Sequence, residues 1–415
     1  MMNHLLNEEQ FPAGFLPAWF EARHRQALEQ AGQLPEPSRR MESWRFGTPG
    51  NESLENFEAA PPVAPEALAS IIREHASMPD AIRIVYANGL PVSIPEELPE
   101  GLAVMDLEDF VLQYPDAARK HLETAPETLG SEKLAALNTA LQHNGLVIMA
   151  DREISCPLEI FHFISGDNVA VFPATLVIAE TGSRLHILER HVSADHGSQF
   201  CGALQQHHLS SASSVKYALV QELNSRSRAV ELCHIMADDS AEMEHLVSHP
   251  GAAWARQETV CLLNGDSANV RLLSASHLKE NKELDQRTYQ KHLYRGASSN
   301  LLYVNVLDDE ASSIFSGMIL VAEGAHDTSA YQSNRNLSLS PRAEANSIPG
   351  LEILADRVQC SHGSATSSIS PEEIFYLLSR GIPEHTARRM IAQGFLKHAL
   401  DQFSDETLRA AVEEI

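Results

Sequence analysis

From Leu146 onward, for about 210 residues, short alternating apolar runs follow one another with no amphipathic stretch of helical length between them. The runs are Val169–Phe172, Leu185–Leu188, Val215–Val220, Val230–Ile235, Val260–Leu263, Val270–Leu273, Leu301–Val306, Ile314–Val321 and Leu337–Leu339, separated by Gly, Asn, Asp and Ser. Repeated βαβ units are thereby excluded, because each parallel crossover of that kind needs a helix after its strand. Two all-β architectures remain, an antiparallel sandwich and a single-winding solenoid. Sandwiches favour tight two-residue hairpins, and in this region only Asn264-Gly265 and Asn144-Gly145 have that form, the second at the end of a predicted helix. No clean period is readable, so the residues alone leave the choice open.

Helical grammar flanks this region. Pro17 opens a predicted helix through Gln30, with Trp19, Ala22, Ala27 and Leu28 on one face and Gly32 after it. Six prolines in residues 33–65 predict an extended connector. Helices are predicted over Pro65–Ala76, Asp106–Tyr114 and Ser131–Asn144, the last with Ser131 as cap and Gly145 as left-handed C-cap. After Asp356, Ser370-Pro371-Glu372-Glu373 is a capping box with proline at the first helical position. Gly381 ends that helix, a second begins near Pro383, and Leu408, Ala411 and Val412 mark a last short one. The expected division is a helical domain with a Pro-rich connector over 1–145, a β core over 146–358 and a helical domain over 359–415.

Charge excludes whole classes of partner. Lys and Arg number 31 against 56 Asp and Glu, a formal net charge of −25, so neither nucleic acid nor an anionic membrane surface is an expected partner. The longest apolar run, Val169–Ala179, is broken by Pro173 and too short to span a bilayer. Residues 1–9 show no signal-peptide pattern. The five cysteines, Cys156, Cys201, Cys233, Cys261 and Cys360, are scattered without a C-x-x-C, which fits a reducing cytoplasm and free, mostly buried thiols.

Familiar catalytic signatures do not occur: no phosphate-cradling P-loop, no dinucleotide fingerprint, no nucleophile elbow. His186 to His191 reads H-x-x-E-x-H, but on a strand those two histidines face opposite sides, so a polar strand face is the simpler reading. His245 and His249 can share a face, yet among 20 histidines chance proximity is simpler. Cys360-Ser361-His362 is different. On a strand the two side chains project to one face with Cα atoms about 6.5–7 Å apart, and thiolate with imidazole suits iron or zinc. Two ligands do not close a site, and a buried cysteine beside a hydrogen-bonded histidine is the plainer reading of that pair alone.

The surrounding residues add a resemblance. Ala355-Asp356-Arg357-Val358-Gln359-Cys360-Ser361-His362-Gly363, followed by Ile374-Phe375-Tyr376-Leu377-Leu378-Ser379-Arg380-Gly381-Ile382, resembles the C-terminal signature of the SufB/SufD family. That signature runs roughly A-D-D-V-x-C-S-H-G-A-T, then L-F-Y-L-x-S-R-G-I. Gln332–Leu337 and Leu351–Ile353 match as well, and Pro37–Phe46 looks like the P-[TS]-R-x-x-E-x-W-[KR]-[YF] segment of the SufD branch. Ser364-Ala365-Thr366-Ser367 and Arg357 depart from the pattern without removing Cys360 or His362.

The resemblance implies a right-handed parallel β-helix, a mainly β solenoid flanked by N- and C-terminal helical domains. It implies a non-catalytic cytoplasmic scaffold subunit in SUF iron–sulfur cluster assembly, paired with a SufB-like subunit and a SufC-like ABC ATPase, or homodimeric in isolation. Cys360 and His362 would then form a partial, shared site for iron or a transient cluster. The C-terminal hairpin would dock the ATPase through Phe375, Tyr376, Arg380, Gly381, Arg388 and Arg389, with Phe375 and Leu378 also packing inside the hairpin. Removal of residues 370–415 is expected to leave the β-helix folded. The alternative for so long a β-solenoid is a polysaccharide-active enzyme.

Overall fold

The computed structural model describes residues 16–50, 53–123, 125–142 and 144–413, so the first nine residues, where no signal peptide is readable, lie outside the described part. The architecture is a parallel β-solenoid with helices at both ends of the chain. Successive strands alternate between two sheets. One holds Leu146–Ala150, Ala174–Ala179, Gln199–Leu209, Arg228–Ala237, Trp254–Leu263, Glu283–His292, Ser312–Val321 and Glu344–Ile353. The other holds Leu158–Ile164, Arg184–Ser193, Ser214–Glu222, Glu242–Ser248, Asn269–Leu278, Ser298–Leu307, Ser329–Ser338 and Gln359–Ser368. Each strand pairs in parallel with the strand two places on, so every two strands complete one coil.

The corners explain how helix-free crossovers are made. Gly182, Ala212, Ser240, Ser267, Gly296, Asp327 and Arg357 all have left-handed φ, between 54° and 76°. Each precedes a corner residue, Ser183, Ser213, Ala241, Ala268, Ala297, Thr328 or Val358, and the first six of these are buried. Only a small side chain fits inside so tight a turn, and the left-handed residue before it turns the chain into the next strand. Those first six corners lie 30, 28, 27, 29 and 31 residues apart, which is the solenoid's repeat. Its length drifts because strand registers drift: Arg228 pairs with Trp254, 26 residues on, but Ser312 pairs with Glu344, 32 on.

In the early coils one part of the lumen is apolar, with Ile148, Ile160, Val177, Ile187, Val215, Ile235, Val270 and Leu272 packed together, and buried polar side chains fill the rest. Later coils line it with amides: Gln286 donates to Gln257, and Asn305 donates to Asn336 and Ser313. Such strands, Glu283–His292 above all, carry too little apolar signal to be read from sequence, because their inward faces satisfy one another by hydrogen bonds.

Eight helices flank the solenoid among the described residues: α1 (Ala18–Gln33), α2 (Pro65–His75), α3 (Leu107–Gln113), α4 (Pro115–Leu122), α5 (Glu132–Leu141), α6 (Pro371–Ser379), α7 (Glu384–Leu400) and α8 (Glu406–Glu413). The buried side of α1 is Phe20, His24, Ala27 and Ala31, not the expected stripe beginning at Trp19. Ser131 does not cap α5; its hydroxyl donates to Glu258 Oε1 at 2.7 Å. Gly145 is not left-handed and instead sits tight against Ala174. Three strands absent from the sequence reading, Ile82–Ala87, Leu90–Ser93 and Leu102–Asp106, cover the first coil. The turn between the first two is Asn88-Gly89, with φ of 49° and 78°, the left-handed pair that a two-residue hairpin needs.

The Pro37–Phe46 match has a structural explanation. Trp44 is buried, its indole donates to Gly130 O at 2.9 Å, and its ring stacks on Trp254. Arg256 lies 3.8 Å from the Trp44 ring centre and pairs with Glu258 and Asp285. The motif therefore straps the connector to the outside of the solenoid.

Candidate functional site

The two ends of the solenoid are built differently. At the N-terminal end, added strands cover both sheet edges. At the other end, Glu344–Ile353 and Gln359–Ser368 are terminal in their sheets, each paired on one side only. Their outer backbone donors and acceptors are free to pair with another chain. The sequence division at 358 and 359 falls just before this final strand, which continues the solenoid.

Cys360 and His362 lie on that last strand. Cys360 pairs with Ala330 and His362 with Gln332, both lumen-facing and buried, so the two side chains share the lumen-facing side of the final coil. This is the common face expected of C-x-H on a strand. Cys360 is half-buried against an apolar floor of Ile319, Val321, Ala325 and Ala330, and that partial burial pushes its thiol pKa up. His362 is exposed, and Leu351 and Ile353 of the other sheet stand on the same open end, half-exposed and exposed. The arrangement offers one sulfur and one nitrogen ligand on an apolar surface that ends in mid-stack.

Arg357, where the family pattern has aspartate, occupies a left-handed corner and donates twice to Asp327, at 3.0 Å each. The corner before Cys360 is thereby held by a side chain from the preceding coil.

Ser370 caps α6 as expected, accepting from the backbone N–H of Glu372 and Glu373. Helix α6 buries none of its residues. Phe375 is 71% exposed, Tyr376 57% and Leu378 42%, which corrects the expectation that Phe375 and Leu378 pack inside the hairpin. The reason is that α6 touches the rest of the molecule mainly through α7, whereas α7 is itself spent on the solenoid: its Ala392 packs on Val306, Leu337 and Leu339. Arg380 lies over the Tyr376 ring, Gly381 has φ 80°, and Arg389 is exposed. Arg388 is tied back, donating to Leu339 O at 3.1 Å and to Glu384.

Further along, Ala399, Leu400, Phe403, Leu408, Ala411 and Val412 cover Leu188, Ala218, Val220 and Leu246 of the second sheet. Removing 370–415 would strip an apolar face of the solenoid, so that truncation is not the neutral one expected from sequence.

Two histidine groups passed over in the sequence occupy the lumen. His186 does face outward, to Asp405, and His191 inward, as strand geometry requires. But the inward face is not an ordinary polar strand face. His191 bridges Glu189 at 2.9 Å and Glu231 at 3.2 Å, and all three are buried. Although burial works against its charge, these carboxylates and Cys201 hold the imidazole pKa well above its usual value. Glu231 also pairs with His249 at 2.7 Å, and His245 lies 3.8 Å from Cys233, so the two histidines have separate partners. The signal that finds them is the corner repeat, which fixes the strand register and hence the inward parity.

Residues 162–395 match the SUF system FeS cluster assembly, SufBD core domain family. The chain is 27% identical to iron–sulfur cluster assembly protein SufD of Escherichia coli over 93% of its own length and 90% of that protein's. It is 25% identical to SufD of Bacillus subtilis over 95% and 92%, and 23% identical to SufB of the same organism over 72% and 64%. No described helix is long and apolar enough to cross a membrane. The chain belongs to the SufB/SufD family of SUF-system iron–sulfur cluster assembly proteins.

Proposed function

We propose that this chain is a non-catalytic, cytoplasmic scaffold subunit of a SUF assembly complex, on the SufD side of a SufB–SufD pair. The observation that carries the reading is the open final coil, where Cys360 and His362 share one lumen-facing side beside two unpaired sheet edges. A homologous solenoid of the SufB type would satisfy both edges and bring its own ligands to the same place. The nascent cluster is cargo at that junction, and Cys360 and His362 supply part of its coordination. A mixed sulfur and nitrogen site divided between two chains releases its cargo when the chains separate. In the absence of its partner the same edge pairs two copies of this chain.

Helix α6 is the proposed docking element for a SufC-like ATPase, because it carries Phe375, Tyr376 and Leu378 outward while α7 anchors it to the solenoid. A stiff link of that kind passes a rigid-body motion of the ATPase to the coil edge. Family membership favours this reading over the polysaccharide-active alternative.

The test is co-expression with the SufB-like and SufC-like chains of the same organism, followed by anaerobic purification and measurement of iron, sulfide and cluster absorbance. His362→Ala should abolish most cluster formation and Cys360→Ala should reduce it, with the complex still assembled. Unchanged cluster yield in both variants would remove the site from the mechanism.

A further inference from the structure

We infer that the solenoid lumen carries a transition-metal site formed by His207, Cys233 and His245, remote from the open end. One ligand atom of each residue lies within 4.8 Å of the other two, and all three side chains are buried. His207 belongs to Gln199–Leu209 and Cys233 to the adjacent Arg228–Ala237, where Gln205 is the register partner of Cys233 and His207 is two residues along on the same face. His245 comes from Glu242–Ser248 in the facing sheet. Ligands thus converge from both walls of the lumen.

Unsatisfied atoms point to a missing occupant. Among the described residues neither ring nitrogen of His207 has a hydrogen-bond partner, and Nδ1 of His245 has none. The other nitrogen of His245 meets only the Cys233 sulfur, at 3.8 Å. Buried polar atoms left in this state are costly, and a cation would take one nitrogen of each ring together with the sulfur. Two imidazoles and a thiolate suit zinc, ferrous iron or cobalt, with bonds of about 2.0–2.3 Å. The neighbouring group of His162, Glu189 and His191 is a poorer site, because its carboxylate already holds a protonated His191.

A run of contacting polar side chains links the N-terminal cap to these three residues. A cavity of about 60 Å³ under the N-terminal cap is lined by Tyr86, Asn88 and His162. His162 lies 3.6 Å from Glu189, which accepts a hydrogen bond from Tyr217, and the Tyr217 ring packs on His207 and His245. On loading, the thiol proton leaves to solvent as the sulfur–metal bond forms.

The inference does not rest on the interface reading, and one experiment separates them. Full-length protein is purified from cells grown in cobalt-supplemented medium, as wild type, Cys233→Ser, His245→Gln and the double variant Cys360→Ser with His362→Ala. The expected wild-type spectrum has intense tetrahedral d–d bands and a thiolate-to-cobalt charge-transfer band, at equimolar cobalt. The double variant should keep both features, Cys233→Ser should lose the charge-transfer band, and His245→Gln should shift the d–d bands. A wild type without the charge-transfer band overturns the site, as does its loss in the double variant or its survival in Cys233→Ser. Should Cys233→Ser not accumulate folded, an unaltered d–d spectrum in His245→Gln is equally decisive against it.

Discussion

His362 is the parallel-register partner of Gln332, and the coil that buries Gln332 is the one His362 stands on. Gln332 is 2% exposed and points into a closed lumen; His362 occupies the equivalent place one coil later, with no further coil above it among the described residues. The site is therefore a position in the stack, made reactive by the stack's ending.

Protection of that end should depend on the partner. Backbone amides of Glu344–Ile353 and Gln359–Ser368 that face outward have no ladder partner and should exchange hydrogen rapidly in the isolated monomer. In complex with the SufB-like chain, exchange in these two strands should slow by about tenfold or more, as expected when edge hydrogen bonds form. Equal exchange in both states would place the partner elsewhere.

Substitutions on α6 should separate docking from stability. Phe375→Ala and Tyr376→Ala truncate exposed side chains outside the core, so stability should change little, within about 0.5 kcal/mol. Binding of the ATPase should weaken by about 1 kcal/mol or more for each, since exposed aromatics are frequent binding anchors. Urea unfolding checks the first and calorimetric titration the second.

Arg256→Met should behave in the opposite manner. It leaves Glu258 buried without its cation and Asp285 with Arg287 alone, and it removes the guanidinium from the Trp44 ring, together with its bonds to the backbone carbonyls of Ser43 and Leu129. Breaking a buried network of this kind costs about 3–5 kcal/mol. Urea unfolding should show the loss, and limited proteolysis should cut first within the 37–46 strap.

Mild acid should unfold the protein. Burial lowers the pKa of six histidines, His121, His162, His208, His234, His277 and His292, to between about 2 and about 4. Between those values and about 6.5 the unfolded chain binds protons that the folded chain refuses, so stability falls as pH drops through that window. Two such groups alone remove about 3 kcal/mol between pH 6.5 and 5. His191 has the opposite sign: its raised pKa contributes most below 6.5 and is lost only as pH rises through the folded value. Glu189 and Glu231, held near 2, lose their contribution only in stronger acid. A urea midpoint that is flat from pH 7.5 to 5.5 would contradict this balance.

The sequence by itself determined the all-β middle, the helical ends, the Ser370 cap and the shared face of Cys360 and His362. These follow from local rules: apolar alternation, capping chemistry and the two-residue period of a strand. Its own repeat was also present, as a small residue after a left-handed one at Ser183, Ser213, Ala241, Ala268 and Ala297, but spacings drifting from 27 to 30 residues hid it. Tertiary structure decided the rest. Whether Glu283–His292 is a strand depends on amides from other coils, and whether Phe375 is core depends on where α7 is anchored. Whether His207, Cys233 and His245 meet depends on three registers across two sheets. A strand pattern says which side a residue faces; only the stacking of coils says what faces it, because those neighbours lie a full turn of the solenoid away along the chain.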